Sequence, residues 1–573
     1  MGYLQELYEK AERLGMAEES AVQRDGTDAG EAGPRGSENQ GVASRLLTLA
    51  QASGAYLFQD FESGDYYVAP KGDGTKVFRL EGQDAARWLA RLWLGSKGKP
   101  VSPEAIKAAM FTLGALVDDS ETVSLAVRVA WQDGLLWYDL GGSAVRINSD
   151  GWSVVEAPPI LFKRFPHQFH QATPVPAGNF DSIDRYLPVE PESEEALLLK
   201  TWVLVCMSPD GPRPVLDLAG PQGSGKTTTA RASKLILDPS RVPTIRRLTD
   251  LKDLQQQLAQ TWALFVDNLS GIGPETSDTL AAAVTGDATF RRKLYTNEDA
   301  QLFAYRRVLC LNGISHTAER PDLLDRGLLV TLVRIKEPLD EATFWTEFQA
   351  DLPGILGGAF AVLSKAIGIL PSVPVPRQFR MADFARWGYA IAEAAGWGGA
   401  RFLAAYERNI NRQHEEAVSA SLLSQAILEF MAGRNEWEGT ASELKTQLDP
   451  IANSTLGIDP TNRQSGWPHD AARLSKELFR LAETLATSGV EVSRPPRSGK
   501  RGRLIGLMAI PDSTVTADTS DIAESEWCDG MGANGATGDG THETTVTQLQ
   551  LLSDAGDASD GRVGIIRGRR LSL

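Results

Sequence analysis

The run Gly220-Pro221-Gln222-Gly223-Ser224-Gly225-Lys226-Thr227 narrows what this chain can become more than any other segment. It fits G-x-x-x-x-G-K-[ST] at every fixed position. Val215-Leu216-Asp217-Leu218-Ala219 ahead of it is an apolar strand pattern, and residues 227–237 behind it make a helical one. Strand, glycine-rich turn and helix in that order build a phosphate cradle. Gly220, Gly223 and Gly225, with Gln222 and Ser224 between them, let backbone N–H groups turn inward, and the helix N-terminus adds partial positive charge. Lys226 is placed to reach the β- and γ-phosphates of ATP. The Thr227 hydroxyl, followed by Thr228, is placed to ligate Mg²⁺.

Two further strands extend the pattern. Ala263-Leu264-Phe265-Val266 ends in Asp267-Asn268, 41 residues after the lysine. An acidic residue at the end of an apolar strand is what a Mg²⁺ site beside a phosphate loop needs, so Asp267 joins Thr227 as a metal candidate. Asn268 cannot accept a proton, though it can orient water. Glu275 and Asp278 follow nearby, and either another carboxylate activates water or turnover is slow. The third strand, Val308-Leu309-Cys310-Leu311, ends in Asn312, a polar side chain suited to sit beside the γ-phosphate. Arg326 follows shortly after, where an arginine can be offered to a neighbouring subunit's nucleotide.

With these motifs the chain resembles the superfamily III helicases of viruses, phages and mobile elements. It is particularly similar to the poxvirus-type primase-helicase branch of phage and prophage ATPases. Gly220 to Asn312 spans 93 residues, the compact spacing of that superfamily. Between them lies Thr285-Gly286-Asp287-Ala288-Thr289-Phe290-Arg291-Arg292-Lys293-Leu294-Tyr295, which looks like the family's DNA-contacting hairpin, turning at residues 296–299. The likeness covers residues 195–335, and Asn268 departs from it. The resemblance implies an α/β ATPase core working as a homo-oligomeric, usually hexameric, ring with single-stranded DNA in its pore. Six copies of Arg291, Arg292 and Lys293 would form a positive collar on the phosphate backbone. No primase site is visible, so priming falls to a separate primase or polymerase.

The expected fold is α/β: a P-loop NTPase (AAA+-like) core, an N-terminal α/β accessory domain and a C-terminal winged-helix domain. Residues 1–41 read as a helix (3–16) and acidic linker, 42–156 as the accessory domain, and 157–193 as a proline- and aromatic-rich connector. Residues 194–345 form the ATPase core, 346–416 a helical extension, 417–511 the winged-helix unit and 512–573 a disordered acidic tail. In 417–511, helical patterns at 422–431, 441–448 and 470–488 precede a hairpin whose tip carries Arg494, Arg497, Lys500, Arg501 and Arg503. Such a tip suits single-stranded or duplex DNA.

Net charge is −16, which by itself argues against a nucleic-acid partner. Residues 512–573 contribute −7 and residues 17–42 contribute −4, so the acidity belongs mainly to the expected tails. The three cysteines are far apart and His167 and His170 lack a third ligand, so neither a disulfide framework nor a metal cluster is indicated. Asp118 and Asp119 read as a solvated loop. Residues 354–370 are the best candidate span, but Lys365 interrupts them, and they read as a buried helix. With no basic-then-apolar start, a cytoplasmic protein without a membrane role is expected. Three rivals stay open: an ATP-gated DNA initiator or loader that does not unwind, a P-loop phosphotransferase, and a defence ATPase assembling on nucleic acid.

Overall fold

The structure, a computed structural model, describes residues 36–510 apart from 73–75, 118–121, 247, 249, 270, 293–299, 314–315, 317–320, 338, 375–378, 463–464 and 496–502. The expected N-terminal helix and acidic tail therefore lie outside the described residues, as do Asp118 and Asp119.

The chain opens with α1 (Gly36–Ala52), β1 (Tyr56–Asp60), β2 (Tyr66–Ala69), β3 (Phe78–Arg79), α2 (Gln83–Lys97), α3 (Pro103–Ala115) and β4 (Thr122–Val123). The strands form one sheet in the order β3-β2-β1-β4, and the helices bury Leu46, Trp88, Leu89, Trp93 and Leu113 in a core of their own. α1 begins inside the stretch whose composition reads as linker. A second sheet follows: β5 (Val129–Gln132), β6 (Leu135–Asp139), β7 (Ala144–Asn148) and β8 (Gly151–Val155), antiparallel in sequence order. Asp133 and Gly134, both at positive φ, make the tight turn expected between β5 and β6.

The central layer comprises α4 (Glu194–Val205), β9 (Val215–Ala219), α5 (Lys226–Leu237), α6 (Leu251–Gln260), β10 (Ala263–Val266), α7 (Pro274–Thr285), β11 (Asp287–Arg292), β12 (Ala300–Tyr305), β13 (Val308–Asn312), α8 (Pro321–Leu324) and β14 (Gly327–Thr331). Four strands pair in parallel in the order β10-β13-β9-β14. Their near-continuous apolar runs reflect burial on both faces, the usual condition of a parallel sheet. Ile245 adds a single parallel bridge outside β10. β13, third in sequence, thus lies between the strand before the phosphate loop and the strand before Asp267.

Long helices complete the layer: α9 (Glu341–Ile369), α10 (Ala382–Ala394) and α11 (Gly399–Ala420). α11 runs along β14, the edge of the sheet. The Asn409 carboxamide accepts from Leu329 N–H (3.0 Å) and donates to Leu329 C=O (2.6 Å), and Gln413 Nε2 donates to Gly327 C=O (2.7 Å). Side-chain amides one helical turn apart thereby take the place of a further strand.

The β5–β8 sheet shares a single apolar core with the parallel sheet. It also completes α5. The last carbonyls of a helix have no partner within the helix. Here the Tyr138 hydroxyl donates to Ile236 C=O (2.8 Å) and Gln171 Nε2 to Leu235 C=O (3.0 Å). Asp238, fully buried after α5, accepts from Arg128 Nε (3.0 Å) and Lys234 Nζ (2.8 Å). Burial alone would raise the Asp238 carboxyl, but Lys234 and Arg128 outweigh it and hold the group well below the usual carboxylate range.

α9 contains the apolar stretch flagged in the sequence, and Glu341–Ser372 is the one helical run among the described residues long and apolar enough to cross a membrane. Its Phe348, Leu352, Ile355, Leu356, Phe360 and Leu363 are buried in the shared core. The connector before Phe180 crosses α9 at Gly354, Gly357 and Gly358, and Val175 N–H bonds to the Pro353 carbonyl (2.9 Å). A Cβ on Gly357 would stand 1.8 Å from the Val175 oxygen, and one on Gly358 2.1 Å from the Phe180 nitrogen. Only glycine permits backbones this close.

The C-terminal unit is α12 (Leu422–Met431), β15 (Glu436–Thr440), α13 (Ala441–Ser454), α14 (Ala471–Arg480), α15 (Ala482–Thr487), β16 (Val490–Ser493) and β17 (Leu504–Ala509). Its strands pair antiparallel in the order β15-β17-β16 around a separate core. The single helix expected over 470–488 is two, broken at Leu481, which leaves helical backbone geometry with ψ of 3°.

Two outcomes follow. Asp238→Asn removes the carboxylate that pairs with both buried cations, Arg128 and Lys234, and lowers stability by ~3–5 kcal/mol in urea unfolding. The wild-type contribution of Asp238 is fully present above pH ~4, the unfolded carboxyl value, and falls away as pH drops towards the lower folded value. Gly357→Ala forces the connector off α9 and costs ~3 kcal/mol by the same measurement, whereas a substitution at Gly142, with open space around it, costs little.

Candidate functional site

The site gathers at the C-terminal edge of the parallel sheet. β9 ends at Ala219, the loop turns, and α5 begins at Lys226. Gly220 has φ of +153°, and a Cβ there would lie 2.7 Å from Leu332 O and 2.8 Å from Ser224 Oγ. Gly225, the N-cap of α5, is left-handed at φ +73° and offers no side-chain cap. The first N–H groups of α5 therefore open into the loop instead of onto a capping oxygen.

The loop is clamped from outside by the segment after β14. Leu332 N–H donates to Ala219 C=O (2.8 Å) and Ile335 N–H to Gly223 C=O (3.2 Å). These bonds turn loop carbonyls outward, which leaves the inner side to donors. Gln222 and Gly223 are exposed at the tip, Thr228 is half-buried, and Ser224 is fully buried with its hydroxyl unpartnered among the described residues. Lys226 Nζ folds back to the carbonyls of Gly220 (2.6 Å) and Pro221 (3.0 Å). Burial draws its ammonium below the usual lysine range, and Asp267 opposes that shift.

Three strand-end residues converge on the loop. The Thr227 hydroxyl donates to Asp267 Oδ1 (3.0 Å). Asn312, buried at 2% exposure, accepts from Asn268 N–H through Oδ1 (2.8 Å). Since the Asn268 donor fixes which end of the carboxamide faces it, the Asn312 NH₂ is the end left over, and it is buried with no hydrogen-bond partner among the described residues. A buried amide donor normally has an acceptor, and none of the described residues supplies one here, so this donor can serve an acceptor from outside the chain. Asn268 itself is exposed and left-handed, with φ of +58°. Asparagine tolerates that conformation better than most residues, which gives a backbone reason for Asn at a position where a carboxylate was looked for.

These features fit a nucleotide with a divalent cation: an uncapped helix start, a hydroxyl–carboxylate pair, a free amide donor and a lysine beside the loop. Gly220, Gln222, Gly223, Ser224, Gly225, Lys226, Thr227, Thr228, Asp267, Asn268 and Asn312 all fall in this one region. Arg326 does not. Val215 N–H bonds to its carbonyl (2.8 Å) at the opposite end of β9, four strand residues and ~13 Å from the loop. Arg326 therefore does not join the site of its own chain.

The basic residues sit elsewhere. β11 and β12 pair antiparallel, with Arg291 opposite Gln301 and Arg292 opposite Ala300. Lys293 and the turn at 296–299 lie outside the described residues. Arg494 and Arg503 are exposed at the ends of the second hairpin, whereas Arg497, Lys500 and Arg501 lie outside the described residues. Sequence reasoning missed the clamp by Leu332 and Ile335, because backbone donors leave no side-chain signature.

Replacing Asn268 separates the backbone role from any chemical one. Asn268→Gly keeps stability within ~0.5 kcal/mol of wild type, while Asn268→Val loses ~1–2 kcal/mol, read from urea midpoints.

Comparison with known proteins gives the following. Among solved structures, the A form apo structure of the NrS-1 C-terminal region is 10% identical, with 81% of this chain and 98% of that chain covered and a TM-score of 0.37. The SCCmec type IV Cch active helicase is 13% identical, covering 79% and 93%, with a TM-score of 0.41. A JCV helicase with a bound small molecule is 15% identical, covering 38% and 66%, with a TM-score of 0.18. No curated protein matches the chain. The family model of the actinomycete integrative conjugative element replication protein matches residues 183–414, which contain the phosphate loop and end within α11. That of the AICE RepA C-terminal domain matches residues 423–519. Over these two consecutive segments, more than half of its length, the chain is similar to the RepA replication proteins of actinomycete integrative conjugative elements.

Proposed function

We propose that the chain is an ATP-dependent DNA helicase or translocase of the superfamily III type, a mobile-element replication protein that works in the cytoplasm as a ring on single-stranded DNA. The 3.0 Å contact of Thr227 with Asp267 beside an uncapped helix start carries this reading. When bound, ATP with Mg²⁺ supplies the γ-phosphoryl group whose transfer to water releases free energy. Lys226 and the loop N–H groups hold the phosphates, and Thr227 and Asp267 hold the metal. Asn312 offers its free N–H groups to the terminal phosphate, and Asn268 orients water. Arg326 acts on the nucleotide of a neighbouring subunit. Arg291, Arg292 and Lys293 follow the single strand. The C-terminal unit, read as a winged helix, lays the tip from Arg494 to Arg503, with Arg497, Lys500 and Arg501, on DNA.

One observation favours a second reading. Asn268 is exposed and is no carboxylate, so general-base catalysis is weak at that position. An ATP-gated loader that binds DNA without unwinding needs no more than that. Strand displacement separates the two.

The test is ATPase rate with and without single-stranded DNA, beside a sizing run with nucleotide. Single-stranded DNA raises the rate several-fold, Lys226→Ala abolishes it, and nucleotide shifts the protein to a larger assembly. An unstimulated rate together with a monomer at every concentration overturns the proposal.

A further inference from the structure

A cavity of about 230 Å³ lies against β10, the edge strand of the parallel sheet, where residues 240–245, α6 and the connector at His167 come together. The segment after α5 meets β10 at one bridge, Ile245 with Val266. Its start is pinned to the connector instead. Phe169 N–H donates to Pro239 C=O (2.9 Å), and Arg241 N–H donates to His167 C=O (2.7 Å). The segment therefore stands off the sheet edge between these two attachments, and the cavity is the space between.

The walls narrow what fits. Val242, Pro243, Ile245, Ala263 and Leu264 present apolar surface. Lys234 is the one permanent charge among the lining residues, and its three N–H donors are spent on Asp238 Oδ2 (2.8 Å), Thr261 Oγ1 (3.1 Å) and Ala263 C=O (2.6 Å). No donor is left to hold an anion, and a cation meets repulsion from the same ammonium. Burial, and after it Lys234, draws His167 below the usual histidine range, so its imidazole is neutral at neutral pH. One ring nitrogen bonds the Gln260 backbone, which leaves a lone pair on the other. Gln257 Oε1 is buried with no hydrogen-bond partner among the described residues. Ser240 Oγ accepts from Val242 N–H (3.2 Å), which leaves its hydrogen to donate. The occupant is thus uncharged, with an apolar body and an edge that carries N–H donors beside an acceptor. Sites for drug-sized ligands run to ~300–1,000 Å³, so this smaller one suits a single fused ring system.

We infer that this cavity binds a free purine base of the adenine type, and that the bound base acts on the metal site through Ile245. Adenine offers an amino group and a ring N–H to Gln257 Oε1 and His167, and ring-nitrogen acceptors to the Ser240 hydroxyl. Ile245 lines the cavity and is bonded into β10 on both sides of Val266. Its N–H donates to Phe265 C=O (2.9 Å), and its C=O accepts from Asp267 N–H (2.7 Å). A base resting on Ile245 therefore bears on the backbone of Asp267, whose carboxylate meets Thr227. Binding of the base stands by itself, whereas its effect on the metal rests on the ATP-dependent reading proposed above.

The probe is adenine, titrated calorimetrically into the full chain at neutral pH. Wild type binds it at a single site. Gln257→Leu keeps the side-chain size, removes the acceptor and weakens binding about tenfold without lowering the urea midpoint. Val242→Trp, at a residue 53% exposed, fills the mouth of the cavity and abolishes binding. Saturating adenine shifts the Mg²⁺ concentration for half-maximal ATPase about fivefold in wild type, and not in Val242→Trp. No binding by wild type, or binding that Val242→Trp retains, overturns the inference. Full affinity in Gln257→Leu overturns the assignment to an N–H donor, and an unchanged Mg²⁺ requirement with adenine bound overturns the link to Asp267. Adenine binding lost in Val242→Trp, in a protein that hydrolyses no ATP, supports the site and overturns the proposed function instead.

Discussion

The bond from Asn268 N–H to Asn312 Oδ1 holds two neighbouring strand ends in register, and the candidate site depends on it. β13 lies between β9 and β10, so its tip is the only strand end flanked by both the phosphate loop and Asp267. Committing Oδ1 to the backbone of β10 directs the NH₂ of Asn312 away from the protein's own acceptors. The same bond accepts from a residue in left-handed conformation, so it also secures the backbone at Asn268. One carboxamide therefore sets both the geometry of the turn after Asp267 and the polarity of the space above the sheet.

The loop is supported from both ends. The segment from Leu332 to Ile335 holds its outer carbonyls, and the β5–β8 sheet terminates α5 through Tyr138, Gln171 and the buried Asp238 cluster. The helix that starts at the phosphate loop is thus closed at its far end by a different sheet.

Much of this was legible in the sequence. Three of the four parallel strands announce themselves as apolar runs, β14 being the exception, and the loop residues, Asp267 and Asn312 follow from motif and strand ends. What remained hidden has physical reasons. The order of strands is a matter of crossover, which periodicity does not encode. Gly357 and Gly358 read as ordinary apolar-helix residues, because a close approach depends on the other backbone. β15 shows no strand pattern in the sequence, since Glu436, Glu438 and Gly439 disguise a strand whose inward residue is Trp437.

The amides of Asn409 and Gln413 have a consequence for assembly. A parallel sheet with an open last strand can be continued by a strand from another molecule, giving an endless ladder. At β14 both the N–H and the C=O of Leu329 are already taken by a side chain, so no backbone from outside finds a register there. A second molecule therefore cannot continue the parallel sheet at β14, and α11 acts as a stopper against fibrous growth at that edge.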